Sequence, residues 1–426
     1  MKYKTYPKYK DSGVEWIGKV PEGWGVKKLK FVAKERKEKN RSEEEACFIG
    51  LENIESWTGK LISSDSTDNT DGEALKFKKG DVLFSKLRPY LAKAFVAEKD
   101  GCCTSELIIY QPQDLDPSYL KYRLLSKDYI DLVNSLTYGV KMPRADPELL
   151  LNIKMQFPLP HEQSSIASFL DKKTAEIDSL IDKDRRLIGL LREKRSSLIN
   201  HAVTKGLDPK ASMKDSGVEW IGEIPEGWEV RKLSYCFDII GSGTTPSSDD
   251  ESYYMEGTIP WIITGDLNDS ILEDASKRIT ESAFHEHSAL KMFPKNSIII
   301  AMYGATIGKL AITTFDACTN QACCVLTKSK IVDIKFLFYW FLANRNEIIS
   351  RSYGGGQPNI SQEVIRSLKI QVPPIQQQIA IVAYLDKQTT RINSTVSKIE
   401  TKIALLLEYK KSLIHHAVTG AIMVPS

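Results

Sequence analysis

The sequence has no long hydrophobic run and few cysteines, and both features limit what the protein can be. No apolar stretch of the 426-residue chain approaches the ~18 residues that a transmembrane helix needs. The N-terminal segment MKYKTYPKYK is basic and aromatic, and no apolar core of a secretory signal follows it. The seven cysteines show neither CxxC spacing nor a disulfide framework. We therefore expect a cytoplasmic protein with reduced cysteines and no association with a membrane.

The sequence also lacks the motifs of common catalytic and cofactor sites. GATIGKL (304–310) resembles a phosphate-binding loop, but only three residues separate its glycines, and leucine replaces the Ser or Thr that would bind magnesium. GSGTTP (241–246) lacks the third glycine of a dinucleotide-binding fingerprint. His285 and His287 have no third Cys or His at a spacing that completes a metal site. There is also no Asn/Asp-Pro-Pro-Tyr/Phe tetrapeptide, with which amino-methyltransferases grip an adenine. We therefore predict a binding protein without a catalytic site, metal or cofactor of its own.

The most prominent feature of the sequence is an internal repeat. KDSGVEWIGKVPEGW (10–24) and KDSGVEWIGEIPEGW (214–228) agree at 13 of 15 positions. A second pair of similar segments, 169–206 and 384–420, ends in HAVTKG and HAVTG. Self-similarity at such a long period indicates that one structural unit occurs twice in the chain. The length also predicts two or three domains.

The second pair of segments carries the seven-residue apolar repeat of a coiled coil. Asp184 is the single break in its register. About 40 residues form a helix of ~60 Å, and such a long apolar stripe needs a partner, for which the other segment is the obvious candidate. We therefore predict two long antiparallel helices; the alternative is that each helix packs only on its own domain. The predicted coiled-coil positions are Ile177, Leu191, Leu198, Ile392, Ile399, Leu406 and Leu413.

The segments between each phrase and each long helix predict a mixed α/β fold. Strand-like runs such as DVLFSKL (81–87) and SIIIAMYG (297–304) are bounded by turn residues, and helical patterns follow at 117–135 and 331–350. Apolar strand positions match between the copies while the polar positions differ, which is typical of one scaffold with two different binding surfaces. The predicted fold class is α/β (α+β), with two similar domains separated by two long antiparallel coiled-coil helices in a pseudo-twofold repeat. The predicted segments are the first phrase 1–24, the first variable domain 25–158, the first long helix 159–206, a linker with the second phrase 207–228, the second variable domain 229–372 and the second long helix 373–420.

Polar loop residues of the two variable domains indicate nucleic acid as the partner. The net charge of +3 is only mildly basic and neither requires nor excludes a nucleic-acid partner, so the positions of the polar side chains are the evidence to consider. Arg and Lys can bind phosphates or the guanine edge, whereas Asn and Gln pair with the adenine edge in the major groove. For any one of these residues, a solvated loop side chain is the alternative interpretation. The candidate DNA-binding residues are Lys86, Arg88, Lys93, Lys141 and Arg144 in the first domain, and Thr244, Thr245, Tyr303, Thr306, Lys309, Gln357 and Asn359 in the second.

Two unlike recognition domains at a set separation would bind an asymmetric, bipartite DNA site. B-DNA rises ~3.4 Å per base pair, so a helix of ~60 Å spans one to two turns of the duplex. Because the domains differ in sequence, we expect two different half-sites, separated by base pairs whose sequence neither domain recognises. The two near-identical phrases would preserve one surface twice, which is an economical way to dock two copies of one partner.

The sequence resembles the specificity subunits of type I restriction–modification systems over essentially its whole length. The resemblance is carried by the junction HAVTKGLDPKASMKDSGVEWIGEIPEGW (201–228), by KLRPYL (86–91) and by PPIQQQIAIVAYLD (373–386). It implies two target-recognition domains, each of which grips half of a bipartite site in double-stranded DNA. It also implies that the central helices bind two modification subunits, which methylate adenine N6, and that two restriction subunits join them to make the site-specific deoxyribonuclease.

The same resemblance implies where the chemistry belongs. S-adenosylmethionine, ATP and magnesium would all be bound by the partner subunits. The first long helix is preceded by PLPHEQ and the second by PPIQQQ, a departure that puts equivalent docking at the two helix starts in doubt. The alternative from a different functional class is a scaffold whose two domains bind proteins and no nucleic acid.

Overall fold

The computed structural model describes residues 3–39, 48–62, 74–352 and 359–425. The chain divides into two compact units, one formed by Met1–Arg186 with Ile399–Ser426 and the other by Leu187–Lys398. The sequence predicts separate segments for the long helices, whereas this division passes through both of them. Each unit thus contains one variable domain and part of each long helix.

The first unit begins with short strands and ends in a long helix. Its strands are β1 (Tyr9–Asp11), β2 (Lys19–Pro21), β3 (Gly25–Lys28), β4 (Ala33–Arg36), β5 (Phe48–Ile49), β6 (Ala74–Phe77), β7 (Val82–Ser85), β8 (Ala94–Val96), β9 (Gly101–Thr104), β10 (Leu107–Pro112) and β11 (Lys154–Phe157). Its helices are α1 (Pro117–Leu124), α2 (Lys127–Ser135), α3 (Pro147–Asn152) and the long α4 (Pro160–Lys205), which continues into the second unit.

The core of the first variable domain lies on both faces of an antiparallel sheet with strand order β4-β10-β7-β8. Successive side chains of a strand point to opposite faces. Phe84 and Tyr110 therefore join the cluster that contains Tyr129 of α2. Leu83 and Ile109 pack on the opposite face, against the smaller sheet β5-β9-β6. Burial on both faces explains why the sequence of these strands is almost continuously apolar.

The second unit follows a similar order of elements, with a short helix added among its strands. Its strands are β12 (Met213–Asp215), β13 (Glu223–Pro225), β14 (Glu229–Lys232), β15 (Ile239–Gly241), β16 (Ile259–Ile262), β17 (Ser270–Leu272), β18 (Lys277–Ile279), β19 (Ile298–Ala301), β20 (Leu310–Thr313), β21 (Cys318–Thr319), β22 (Cys323–Thr327) and β23 (Lys369–Val372). Its helices are α5 (Leu233–Cys236), α6 (Glu281–Glu286), α7 (Ile334–Ser350), α8 (Gln362–Ser367) and the long α9 (Ile375–Thr419), which continues into the first unit.

The main sheets of the two variable domains share the order of four strands, whereas the smaller sheets differ in the strand that lies at the centre. In the second domain the main sheet has the order β15-β22-β19-β20-β17, and the smaller one has the order β18-β16-β21. Strands β19 and β22 pair antiparallel with Ala301 opposite Cys323, as β7 and β10 pair with Ser85 opposite Leu107. The predicted duplication of a mixed α/β domain is confirmed by the order of four strands that the main sheets share.

The long helices run antiparallel within each unit. In the first unit, Lys410 Nζ lies 2.7 Å from Asp178 Oδ1, and Lys402 Nζ lies 2.8 Å from Asp184 Oδ2. Residue numbers rise along α4 as they fall along α9, which is the mark of an antiparallel pair. In the second unit, Arg195 Nη1 donates to Asn393 Oδ1 at 2.9 Å, in the same direction.

The predicted coiled-coil positions lie on the inner side of these helices. Ile177 and Leu413 belong to the core of the first unit, and the two helices therefore pack on each other as well as on the variable domain. Asp184, the break in the apolar register, is buried and paired with Lys402, so a charged contact replaces an apolar one. Ile177, Ile392 and Leu413 are buried, and Leu191, Leu198, Ile399 and Leu406 are half-buried.

Two helical predictions differ from the structure in detail. The pattern at 117–135 forms two helices, because α1 ends at Leu124 and α2 begins at Lys127. The pattern at 331–350 becomes helical only at Ile334, where the Asp333 side chain accepts the N–H of Phe336. Capping by a short acidic side chain fixes this start.

Two further features of the described residues concern cysteine and hydrophobicity. Their cysteines, Cys102, Cys103, Cys236, Cys318, Cys323 and Cys324, are all buried. Within the described ranges, none of the helices is both long and apolar enough to span a bilayer.

Candidate nucleic-acid interface

The recognition loop of the first unit, residues 86–92, follows β7 and lies against the segment before α3. The Arg88 N–H donates to the Pro143 carbonyl at 2.8 Å, and the Ala145 N–H donates to the Lys86 carbonyl at 2.9 Å. These bonds bring together two loops that the sequence separates by about fifty residues. Four of the predicted DNA-binding residues, Lys86, Arg88, Lys141 and Arg144, therefore lie in one surface region.

A small hairpin, residues 138–144, forms the edge of this region. The backbones of Tyr138 and Arg144 exchange two hydrogen bonds of 3.0 Å each. Val140 at its tip is 101% exposed, and the neighbouring Lys141 and Met142 are exposed as well. A protruding apolar tip beside a cation suits contact with a partner, because the fold itself does not cover it.

Two basic side chains of the first unit make contacts within the domain. Arg144 Nη2 donates to Glu106 Oε1 at 2.6 Å, while 42% of the Arg144 side chain stays exposed. Lys93 Nζ donates to the Leu51 carbonyl at 2.7 Å. Lys93 thus fastens the end of the recognition loop to a neighbouring loop, and Arg144 remains partly open to a ligand.

The second unit brings the corresponding segments together in the same register. Tyr303 and Asn359 form a backbone bridge, as Leu87 and Arg144 do in the first unit. The Ile360 N–H donates to the Met302 carbonyl at 2.7 Å, the counterpart of the bond from Ala145 to Lys86. Tyr303 and Asn359 therefore lie together in the second recognition site. Gln357, also predicted there, lies outside the described residues.

The two recognition loops have left-handed backbone at the same two positions although their sequences differ. Arg88 and Ala92 of the first loop have φ of 48° and 47°, in the left-handed region. Gly304 and Gly308 of the second loop have φ of 83° and 75° at the corresponding positions. The glycines of GATIGKL thus serve a tight loop between β19 and β20, because glycine adopts positive φ without a steric penalty.

Lys309 is held by a carboxylate within the second domain. Its Nζ lies 3.0 Å from Asp269 Oδ2, and Arg345 Nη1 lies 3.1 Å from the same oxygen. Burial alone would raise the pKa of Asp269, but the guanidinium and the ammonium outweigh it and lower the pKa below its ordinary value of 3.8. Lys309 therefore corresponds to Lys93 in function as well as position, since both secure the recognition loop.

The remaining candidates of the second unit lie around the same loop. Thr245 Oγ1 donates to Gln321 Oε1 at 2.6 Å, and the Thr244 carbonyl accepts the indole N–H of Trp261 at 3.2 Å. Thr306 lies inside the loop, where its carbonyl accepts the N–H of Lys309. Thr244 and Thr306 are half-buried and Thr245 is exposed.

The structure adds Glu106, Gln321 and Tyr138 to the residues that sequence reasoning selects. Each lies in a turn next to a recognition loop, and no sequence pattern marks it. The isolated carboxylate in TSELIIY (104–110), at the start of a buried strand, is the only available signal for Glu106.

The histidine pair considered as a metal site is engaged locally on α6. His285 Nε2 lies 3.7 Å from Glu281, one turn away, and His287 Nδ1 lies 2.9 Å from the Ala283 carbonyl. Among the described residues, no group of three or more His, Cys, Asp or Glu side chains has the geometry of a metal site.

The repeated phrase receives the end of a long helix in each unit. In the second unit, a Cβ on Gly206 would lie 3.3 Å from the ring of Trp228. In the first unit, a Cβ on Gly420 would lie 2.6 Å from the ring of Pro21 and 3.2 Å from that of Trp24. Both glycines have positive φ, as expected where a helix ends and the chain turns onto the phrase. The C-terminal part of each phrase thus accepts the same helix ending.

A cavity of about 470 Å³ opens beside the phrase in the second unit, between Trp228 and the start of α9. Ile375 and Ile379 are exposed on this part of α9. Their counterparts at the start of α4 are Pro160 and Ser164. The starts of the two long helices therefore present different surfaces, as the different sequences PLPHEQ and PPIQQQ predict.

Comparison with known proteins agrees with this architecture. The chain is 25% identical to a putative type I restriction enzyme MjaX specificity subunit from Methanocaldococcus jannaschii, over 96% of each sequence. In fold it resembles a chain from a study of complex assembly and conformational transition in a type I R-M system, with a TM-score of 0.71 and 18% identity over 94% of this chain and 98% of that one. It also resembles the HsdS subunit of Thermoanaerobacter tengcongensis, with a TM-score of 0.53 and 19% identity over 95% and 98% of the two chains.

The family model for the type I restriction modification DNA specificity domain matches twice, at residues 21–185 and 225–404. Each match covers one variable domain and the first part of the long helix that follows it. Two matches account for most of the chain and coincide with the internal repeat. The protein therefore belongs to the family of type I restriction–modification DNA specificity proteins.

Proposed function

We propose that this chain is the DNA-binding specificity subunit of a type I restriction–modification enzyme. Its two target-recognition domains would each bind one half of an asymmetric, bipartite site in double-stranded DNA. The observation that carries this proposal is the pair of recognition loops, which share a backbone bridge and two left-handed positions but carry different side chains. One scaffold with two unlike polar surfaces is suited to two unlike half-sites.

The partners follow from the same proposal. Two modification subunits would dock on the long helices and the repeated phrases, and two restriction subunits would complete the cytoplasmic complex. S-adenosylmethionine, ATP and magnesium would be bound by these partners, and adenine-N6 methylation and DNA cleavage would be their reactions. We assign no catalytic step to this chain.

Exposed apolar side chains on the long helices support this docking. Leu180 and Leu187 are 44% and 43% exposed on α4, and Leu405 is 61% exposed on α9. Large apolar side chains on a helix that already has a partner indicate a further contact surface. The unlike surfaces at the starts of the two long helices support docking that is not equivalent at the two ends.

The alternative, a scaffold that binds only proteins, makes a different prediction about salt. A subunit that contacts DNA phosphates loses affinity steeply as the salt concentration rises, because bound cations return to the duplex. A protein scaffold has no measurable affinity for duplex DNA at low salt. The comparisons with known proteins do not favour this alternative.

Methylome sequencing of the host strain, with and without this gene, tests the proposal. We expect one bipartite motif with methylated adenine that disappears when the gene is deleted and returns with a plasmid copy. An identical methylome in both strains, from a strain that expresses the whole complex, would refute the proposed function.

A further inference from the structure

Arg144 and Asn359 occupy the same register position in the two recognition sites. Each forms a backbone bridge with the second residue after its main-sheet strand, Leu87 after β7 and Tyr303 after β19. Each also lies two residues before the cap of the next helix, since Asp146 accepts the N–H of Glu148 and Ser361 that of Val364. The main chain therefore delivers an arginine in one domain and an asparagine in the other to one equivalent place.

The Arg144 side chain is held in place from one side. Its Nη2 donates to Glu106 Oε1 at 2.6 Å, and the Glu106 side chain is only 23% exposed. Arg144 Nε and Glu106 Oε2 are buried without a hydrogen-bond partner among the described residues. A guanidinium has five N–H groups, so the contact with Glu106 leaves its outer edge free to donate two parallel hydrogen bonds.

The counterpart of Glu106 in the second domain carries no charge. The Met302 N–H donates to the Ala322 carbonyl, as the Lys86 N–H donates to the Glu106 carbonyl. Ala322 is therefore the residue that corresponds to Glu106. A carboxylate accompanies the arginine, whereas the uncharged Ala322 stands at the corresponding position in the domain of Asn359, as expected if Glu106 serves to orient Arg144.

The surroundings of Arg144 fit the inside of a DNA groove better than a solvated loop. The hairpin that ends at Arg144 exposes Tyr138, Val140 and Met142 together with Lys141. Apolar side chains beside a held arginine resemble the contacts that proteins make with thymine methyl groups and base edges. A cation that contacted only phosphates would need no fixed partner.

We propose that Arg144, oriented by Glu106, reads a guanine in the first half-site, and that Asn359 reads an adenine at the corresponding place in the second. This inference rests on the proposed function and names the base at one position of each half-site. The outer edge of arginine matches O6 and N7 of guanine, and the amide of asparagine matches N6 and N7 of adenine. Arg144 and Asn359 are thus specificity-determining residues, and Glu106 is a positioning residue.

The test exchanges the two side chains and reads the methylated motif. We expect Arg144→Asn, introduced into the chromosome of the host strain, to change one guanine of one half-site to adenine or to any base. The other half-site should stay as in the wild type. Asn359→Arg should change one adenine of the other half-site in the same way. Two results would overturn the proposal. One is a wild-type motif with no guanine in the half-site that Arg144→Asn changes, and the other is an Arg144→Asn variant that still requires guanine there.

Lys141→Ala is the matched control, because Lys141 is an exposed cation of the same hairpin with no assigned base. We expect this variant to bind DNA more weakly, to depend less on salt and to keep the wild-type motif. If Arg144→Asn abolishes methylation altogether, the complex is titrated with four duplexes that differ only at the assigned base pair. Equal affinity for the four supports the proposal, and a retained preference for guanine contradicts it.

Glu106→Gln separates positioning from folding. We expect this variant to lose about 10- to 100-fold in discrimination between guanine and the other bases, the range of one bidentate contact, while its thermal midpoint is unchanged. Glu106→Asp should recover part of the discrimination. Unchanged discrimination in Glu106→Gln would contradict the role of Glu106. A wild-type complex with no motif would refute the proposed function itself, whereas a normal motif with no effect of these variants would refute only this inference.

Discussion

Arg88 has a backbone conformation that an arginine rarely adopts. Its φ of 48° lies in the left-handed region, where the second recognition loop has Gly304. A side chain in this region costs about 1–2 kcal/mol, and such a cost is tolerated where the side chain is needed for function. Arg88 is exposed beside Lys86 and Arg144, which is consistent with a contact to DNA that offsets the strain.

Replacement of Arg88 separates strain from function. Arg88→Gly and Arg88→Ala both remove the guanidinium, so both should weaken binding to the first half-site by the same factor and leave the second unchanged. Only glycine relieves the backbone strain, so we expect Arg88→Gly to be more stable than Arg88→Ala by about 1 kcal/mol. Duplexes with one altered half-site and hydrogen exchange of the loop amides measure the two effects. A loss at both half-sites would contradict separate recognition domains.

The sequence predicts least about the contacts that individual side chains make. The structure brings Lys86, Arg88, Lys141 and Arg144 together in one surface region. The sequence does not reveal that Lys93 binds a backbone carbonyl, or that Lys309 and Arg345 share Asp269. Such partners are distant in the chain and depend on side-chain packing, which no local pattern encodes.

The pair of long helices contains a buried charge in the first unit. Lys410 is 3% exposed and binds both oxygens of Asp178, at 2.7 and 2.9 Å, while Lys60 binds Asp178 at 2.8 Å. Removal of one partner of a buried pair leaves an uncompensated charge, which is more damaging than removal of both.

We therefore expect Asp178→Ala to destabilise the first unit by about 3–5 kcal/mol and the double change Asp178→Leu with Lys410→Met to cost much less. Hydrogen exchange of the amides at the end of α9 measures the free energy of opening. The control is Lys127→Met, because Lys127 and Asp131 are 69% and 61% exposed in their pair, and a pair exposed on both sides contributes little to stability. Equal costs for Asp178→Ala and the double change would contradict this account.

Helix α2 is fastened to the end of α9 by a carboxylate that must stay ionised. Asp128 lies 3.0 Å from the buried Arg123 and 3.2 Å from His415. Burial alone would raise the pKa of Asp128, but Arg123 and the hydrogen bonds with His415 and Ser126 outweigh it and lower the pKa well below 3.8. A carboxyl group with a lowered pKa in the folded state stabilises the fold above its unfolded pKa, and this stabilisation is lost as the pH falls below it.

The stability of this contact should therefore depend on pH in one direction. Asp128 contributes to the free energy of opening of the first unit. We expect this contribution to be constant from about pH 7 to about pH 5 and to fall progressively below about pH 4. Asp128→Asn should remove this acid-dependent part and be least damaging at the lowest pH. Hydrogen exchange of α2 amides at several pH values tests it, and parallel profiles for both proteins would contradict the assignment.

At the scale of the whole molecule, the duplication and the antiparallel helices follow from the sequence, whereas the division into units does not. Repeated phrases and a seven-residue period are long-range regularities that survive divergence of the loops. The boundaries at Arg186 and Lys398 carry no helix-ending signal, because α9 continues through Lys398 without a glycine or proline and α4 continues through both Arg186 and the nearby Gly189. They arise from which domain each half of a helix packs on.

The continuity of both helices through these boundaries leads to a prediction about the DNA spacer. A heptad inserted after Arg186 in α4 and another after Lys398 in α9 would keep the apolar register and lengthen each helix by about 10 Å. At ~3.4 Å per base pair, this length corresponds to about three base pairs. We expect methylome sequencing to show the same two half-sites with a spacer longer by about three base pairs. An insertion in α4 alone is the control and should abolish methylation, because the two helices can no longer pair along their length. A motif with the original spacer in the doubly lengthened protein would show that the helices do not set the distance between the half-sites.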